Sequence, residues 1–110
     1  MVQAAQLDDT MLALADSTRR AILKRLTHRE ARVTELAAPF DMTLHAASNH
    51  IRVLERARLV QRRRYGREHI FSFNPKPLDE AALWIERHRT FWNARLDALE
   101  RALRDDDEDN

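Results

Sequence analysis

His45, Asn49, Arg52 and Arg56 recur at spacings of four, three and four residues. At 100° per residue these four side chains share one side of a helix. Ala47, Ile51, Leu54 and Arg58 fall on the other side, within about 40° of one line. An imidazole, a carboxamide and two guanidiniums hold no nucleophile among them. Their shared chemistry is hydrogen bonding to flat polar edges and to phosphates. Arginine can pair with guanine O6 and N7, and asparagine with adenine N6 and N7. Ser48 and Thr43 add hydroxyls suited to a phosphate or a base edge, and Thr43 also stands where a helix N-cap belongs.

A second cationic group follows at once: Arg62, Arg63, Arg64 and Arg67, with Tyr65 between them, around the chain's only glycine, Gly66. From His45 to His69 seven arginines face Glu55 and Glu68, a net +5 in 25 residues. Clustering of that kind is expected of a phosphate-binding surface. The whole-chain charge of +1 hides it, because five of the 18 acidic residues lie in Asp105–Asp109. Residues 105–110 read as an acidic, disordered tail.

Other chemistry is poorly served. With one glycine there is no loop to cradle a nucleotide phosphate, and with no cysteine there is neither a disulfide nor a thiolate ligand. There is no HExxH pattern, and Ser17, Ser48 and Ser72 sit at a cap, on a helix and in a strand. No cofactor, no metal site and no enzymatic activity are expected. The lack of a long apolar run and of a signal-peptide pattern points to a cytoplasmic protein that makes no use of a membrane. A length of 110 residues favours one domain, over residues 7–104, behind a flexible N-terminus of residues 1–6.

The elements that must position these groups can be read in order. Leu7 to Ala15 has helical spacing, and Asp16-Ser17-Thr18 offers caps for a helix carrying Ile22, Leu23 and Leu26. After a break at Thr27–Arg32, Thr34–Ala38 is a short helix ended by Pro39, and Phe40-Asp41-Met42 is a tight turn. The helix of about residues 44–57 comes next. A β-hairpin then runs from Leu59 to Phe73, with Gly66 supplying a positive φ at its tip, and Pro75 and Pro77 end the ladder. Leu78 to Leu103 is a helix of 26 residues. Ile85, Trp92, Leu96, Leu99 and Leu103 recur along it near heptad spacing, interrupted by Arg89 and widened by Trp84 and Phe91. That stripe exceeds what a small monomer needs to cover its core, so a partner helix is expected, with Leu7 and Met11 joining the dimer interface.

Helix, tight turn, helix and basic hairpin make a mainly α fold of the winged helix-turn-helix type. The segments LADSTRRAIL (Leu14–Leu23), VTELA (Val33–Ala37), ASNHIRVLERARLV (Ala47–Val60) and RRRYGREHIFSF (Arg62–Phe73) resemble the ArsR/SmtB family of bacterial repressors, and the resemblance spans about residues 7–104. It implies a dimer whose terminal helices pair, recognition of double-stranded DNA through the helix at 43–57, and repression relieved by an effector, here unidentified. The chain departs from the family's metal-sensing members. Ala37 and Pro39 stand where a thiolate pair would lie, and Leu99 and Ala102 replace the distal ligands of a terminal-helix site that retains Glu86 and His88. Asp41 and Arg58 occupy turn positions usually held by glycine. The run Glu86–Leu103 resembles the subset with an aromatic-rich terminal helix and no obvious metal site. The expected function is a sequence-specific transcriptional repressor acting as a homodimer on an inverted repeat. The alternative is a helical protein-interaction module whose aromatic terminal helix binds another protein.

Overall fold

The computed structural model describes residues 4–108. Its elements are α1 (Ala4–Leu14), α2 (Ser17–Leu26), β1 (Ala31–Arg32), α3 (Val33–Ala37), a 3-10 turn (Ala38–Phe40), α4 (Leu44–Arg56), β2 (Val60–Tyr65), β3 (Glu68–Phe73) and α5 (Lys76–Glu108). The sheet is antiparallel in the order β1-β3-β2, with Ala31 opposite Phe71 and β2 paired from Val60↔Phe73 to Tyr65↔Glu68. The expected apolar positions meet in one core. Ile22, Leu23 and Leu26 of α2, Leu36 of α3, Ile51 and Leu54 of α4, Leu59, Val60 and Phe71 are all buried.

Local chemistry sets the ends of the helices. Asp16 is extended at φ −107°, and its carboxylate accepts from the Arg19 backbone N–H at 3.0 Å, the N-cap of α2. That bond, aided by the Arg19 charge, holds the Asp16 carboxyl below its ordinary value. Thr43 Oγ1 accepts from the Ala46 N–H at 3.0 Å and so caps α4. At the other end of α4, the Leu59 N–H donates to the Leu54 carbonyl at 3.0 Å and the Arg58 N–H to the Glu55 carbonyl at 2.9 Å. These two bonds make a Schellman motif, which needs a left-handed residue at its centre. Arg58 fills that place at φ +61°. Asp41 at +50° and Gly66 at +64° complete the left-handed positions among the described residues.

Several boundaries differ from the sequence reading. Residues 4–6 belong to α1, and the Gln6 side chain donates to the Ala57 carbonyl at 2.9 Å, so only residues 1–3 of the expected flexible segment lie outside the described part. β1, two residues long, falls inside the expected break. Pro39 ends α3 by tightening it into a 3-10 turn, where its missing N–H costs nothing. Pro77 likewise sits in the first turn of α5, which begins at Lys76. Asp105 to Glu108 continue α5 as helix and are not a disordered tail; residues 109 and 110 lie outside the described part. Arg58, aligned by period with the apolar line of α4, is exposed because the helix stops before it.

α5 packs on the domain only through its start. Leu78 lies against the core and Ala81 is buried, whereas every residue from 82 to 106 is exposed. The helix therefore leaves the domain as an arm. The molecule measures 74 × 32 × 23 Å, and its radius of gyration is 20.1 Å. A compact chain of this length would have a radius of about 13 Å.

Candidate nucleic-acid interface

α4 rests on α1, α2, α3 and β2. Its buried line is Ala47, Ile51 and Leu54, and the opposite line, His45, Asn49, Arg52 and Arg56, is exposed along its whole length. The structure thus brings these four predicted residues onto one open face. The Asn49 amide reaches His45 Nε2 at 3.4 Å, while the side chains of Arg52 and Arg56 make no hydrogen bond or ion pair among the described residues. Ser48 is half-buried on the flank of the helix that turns toward the hairpin. Thr43 spends its hydroxyl oxygen on the cap, leaving its O–H to donate outward.

One arginine fixes the back of this helix. Arg19 of α2 donates Nε to the Ala13 carbonyl at 3.0 Å and Nη2 to the Leu12 carbonyl at 2.8 Å, closing the end of α1. Its Nη1 lies 3.4 Å from His50 Nδ1 on α4. Guanidinium nitrogens only donate, so this His50 nitrogen is the acceptor.

The hairpin arginines are less free than their sequence suggests. Arg62 Nη2 bonds Glu55 Oε1 at 2.7 Å, and its guanidinium lies 5.2 Å from the centroid of the Phe71 ring. Arg63, on the opposite face of β2, pairs with Glu30 at 2.9 Å. Arg64 Nε donates to the Gly66 carbonyl at 3.0 Å across the turn, keeping its terminal nitrogens outward. Tyr65 and Arg67 are exposed at the tip. The sequence reading missed the carboxylates that take part: Glu30, Glu55, and Glu68, which pairs with Arg32 at 2.7 Å. Between α3, α4 and the hairpin lies a cleft of about 310 Å³, walled by Thr34, Ser48, Arg62, Arg67, His69 and Phe71.

No group of three or more His, Asp or Glu side chains is gathered as a metal site among the described residues. Glu86 pairs with Arg89 at 2.7 Å, which raises the arginine's pKa through their hydrogen bond, and His88 Nδ1 lies 2.8 Å from the Trp84 carbonyl, to which it donates. The predicted dimer residues Ile85, Trp92, Leu96, Leu99 and Leu103 stand exposed along α5, and Leu7 and Met11 are half-buried on α1.

A short helix, a left-handed turn at Asp41, an exposed polar helix and a basic hairpin define a winged helix-turn-helix regulator of the DNA-binding class. Known proteins agree. The helix-turn-helix domain family matches residues 14–63. The HTH-type transcriptional regulator Rv2034 of Mycobacterium tuberculosis is 42% identical over 81% of this chain and 80% of its own length. The crystal structure of the ArsR family transcriptional regulator RHA00566 superposes with a TM-score of 0.77 at 36% identity, covering 84% of this chain and 97% of that one. A solution structure from Mycobacterium bovis, described as a homodimeric winged helix-turn-helix domain of a possible ArsR-family regulator, matches at a TM-score of 0.61 and 25% identity over 84% of this chain and 82% of its own. The chain belongs to the ArsR/SmtB family of winged helix-turn-helix transcriptional regulators. It is a family of regulators, not of enzymes.

Proposed function

We propose that the chain is a homodimeric repressor that reads an inverted-repeat operator with α4 in the major groove and the hairpin on the phosphate backbone. The observation that carries this is the open face His45, Asn49, Arg52 and Arg56, backed by a buried apolar line and flanked by a cationic hairpin. A helix of about 10–12 Å diameter fits the major groove, where base edges can be told apart. Arg67, Tyr65 and the outward nitrogens of Arg64 would meet phosphates, which add affinity without sequence preference. Arg63 would join them by exchanging or sharing its Glu30 partner.

The dimer is supported by α5, whose apolar stripe continues the line that Leu78 and Ala81 bury against the core and then runs on uncovered. Pairing of two such arms would cover it and place two α4 helices symmetrically. Repression is the mode that the family resemblance implies. The role belongs in the cytoplasm; no helix among the described residues is long and apolar enough to cross a membrane. The rival reading, an interaction module using the aromatic arm, predicts no salt-dependent affinity for duplex DNA. Binding isotherms on duplexes selected from a random pool, across a range of salt, separate the two. The repressor gives a steep negative slope of log K against log salt and an imperfect palindrome, with half-sites spaced by about one 10–10.5 bp turn or a multiple. A flat slope, or a single asymmetric half-site at saturation, would refute the proposal.

A further inference from the structure

Glu55 is a carboxylate inside a surface of net positive charge, on the very helix proposed to enter the groove. Left free it would repel phosphate. It is not free. Its Oε1 takes the Arg62 guanidinium at 2.7 Å, and that guanidinium lies over the ring of buried Phe71, the residue directly opposite Arg62 in the β2–β3 ladder. The arginine is therefore held on two sides, by a core aromatic and by the last turn of α4. The side chains of Arg62 and Glu55 are 41% and 26% exposed, against 61% and 47% for the Arg63–Glu30 pair. Among the described residues it is also the one side-chain hydrogen bond that joins α4 to the hairpin. Beyond the two residues that β1 pairs, Ile70 and Phe71, the hairpin is a two-stranded ribbon of marginal stability, so the direction of its tip depends on what ties its base.

We propose that Glu55 and Arg62 form a strut that sets the wing's angle to α4, so that both are positioning residues for operator recognition and Arg62 is not a phosphate ligand. This rests on the reading of α4 and the hairpin as one DNA-binding surface. It makes a prediction of unusual sign: removing a negative charge from a DNA-facing surface weakens specific binding.

The test uses the full-length protein as Glu55→Gln, Arg62→Met, Arg62→Lys and the Glu55→Gln/Arg62→Met double variant, each first checked for native helicity. Affinity is measured for the selected duplex and a scrambled one. Glu55→Gln and Arg62→Met should each weaken binding to the selected duplex by roughly three- to tenfold, with the double variant no worse than the weaker single, because the two act as one unit. On the scrambled duplex, where α4 and the wing need not engage in one register, affinity should stay within about twofold and the salt slope should not change, since Arg62 itself meets no phosphate. Arg62→Lys keeps the charge but cannot lie flat on Phe71 while bridging to Glu55, so it should not restore affinity. Tighter operator binding by Glu55→Gln, a slope on the scrambled duplex reduced by about 0.9 in Arg62→Met, or full activity of Arg62→Lys would each overturn the strut. Amide exchange without DNA tests it separately. Glu55→Gln should speed exchange across residues 60–73 while leaving α2 protected, and an unchanged hairpin would refute the strut. Failure of the unmodified protein to bind any duplex would count against the DNA reading alone.

Discussion

At the scale of single side chains, the cations divide by whether something already holds them. Arg52 and Arg67 are exposed and without ion-pair partners among the described residues, one on α4 and one on the wing. Arg52→Ala should cost about 1–3 kcal/mol and relax preference at one base position in each half-site. Arg67→Ala should weaken all sequences alike and lower the magnitude of the salt slope by about 0.9. Isotherms across operator variants and salt concentrations distinguish the two patterns. The face bearing Arg52 was legible in the sequence because the helix period fixes which residues share a side. The partners of Arg62 and Arg63 were not. Alternation along β2 gives the face of each arginine, but Glu55 and Glu30 reach them only through tertiary packing. Asp16 offers a pH test. Its folded-state pKa is lowered from 3.8, chiefly by the Arg19 backbone bond, so its contribution is complete above 3.8 and is lost as pH falls below that toward and through the lowered folded-state value. Thermal melting between about pH 5 and 2 should show a component that Asp16→Asn, which can still cap, removes.

At the scale of elements, α4 shows how an ending is set by geometry more than by residue type. Its Schellman motif requires a left-handed residue, and the chain supplies arginine. A left-handed L-residue costs about 1–2 kcal/mol, partly offset by the roughly 0.5–1 kcal/mol of extra entropy that glycine loses on folding. Arg58→Gly should therefore stabilise the fold by about 0.5–1 kcal/mol, read as a rise in denaturation midpoint with unchanged m-value; a lower midpoint would show that the Arg58 side chain contributes contacts. The departure from glycine at this position was visible in the sequence, as was the hairpin around Gly66. β1 was invisible, since two residues carry no periodicity and pair only because β3 lies beside them. The acidic end of α5 misled for a different reason. Asp105–Glu108 carry charges unfavourable at a helix C-terminus, yet they extend a helix already nucleated over many turns.

At the scale of the whole molecule, the arm dominates. α5 spans 33 residues, and from residue 82 to 106 none of it is covered. Trp92, Leu96, Leu99 and Leu103 are each more than half exposed, and the proposed dimer is what would cover them. Replacing Trp92 and Leu96 together with glutamate should give a monomer or an unfolded chain, and analytical ultracentrifugation should find the unmodified protein dimeric with a concentration-dependent dissociation at most. A monomer at all concentrations would sink the dimer. Added zinc, cadmium or arsenite should not release DNA through a site in α3 or α5, since Ala37, Pro39, Leu99 and Ala102 offer no ligands. Loss of operator affinity with stoichiometric metal uptake would contradict this.

The arm also carries both tryptophans of the chain, Trp84 and Trp92, and the winged domain carries none. The protein thus comes with an intrinsic optical label confined to one element. Emission from a solvated α5 should lie to the red and shift blue as the arm is covered, and with the indoles excited selectively over Tyr65 no other tryptophan dilutes the change. The two indoles are themselves distinguishable. Trp84 stacks on His88 with ring centroids 4.0 Å apart, whereas Trp92 packs edge-on with Phe91 at 6.0 Å, so the two report different surroundings. Replacing either indole with phenylalanine leaves a single emitter, so fluorescence can follow the middle and the base of the arm separately.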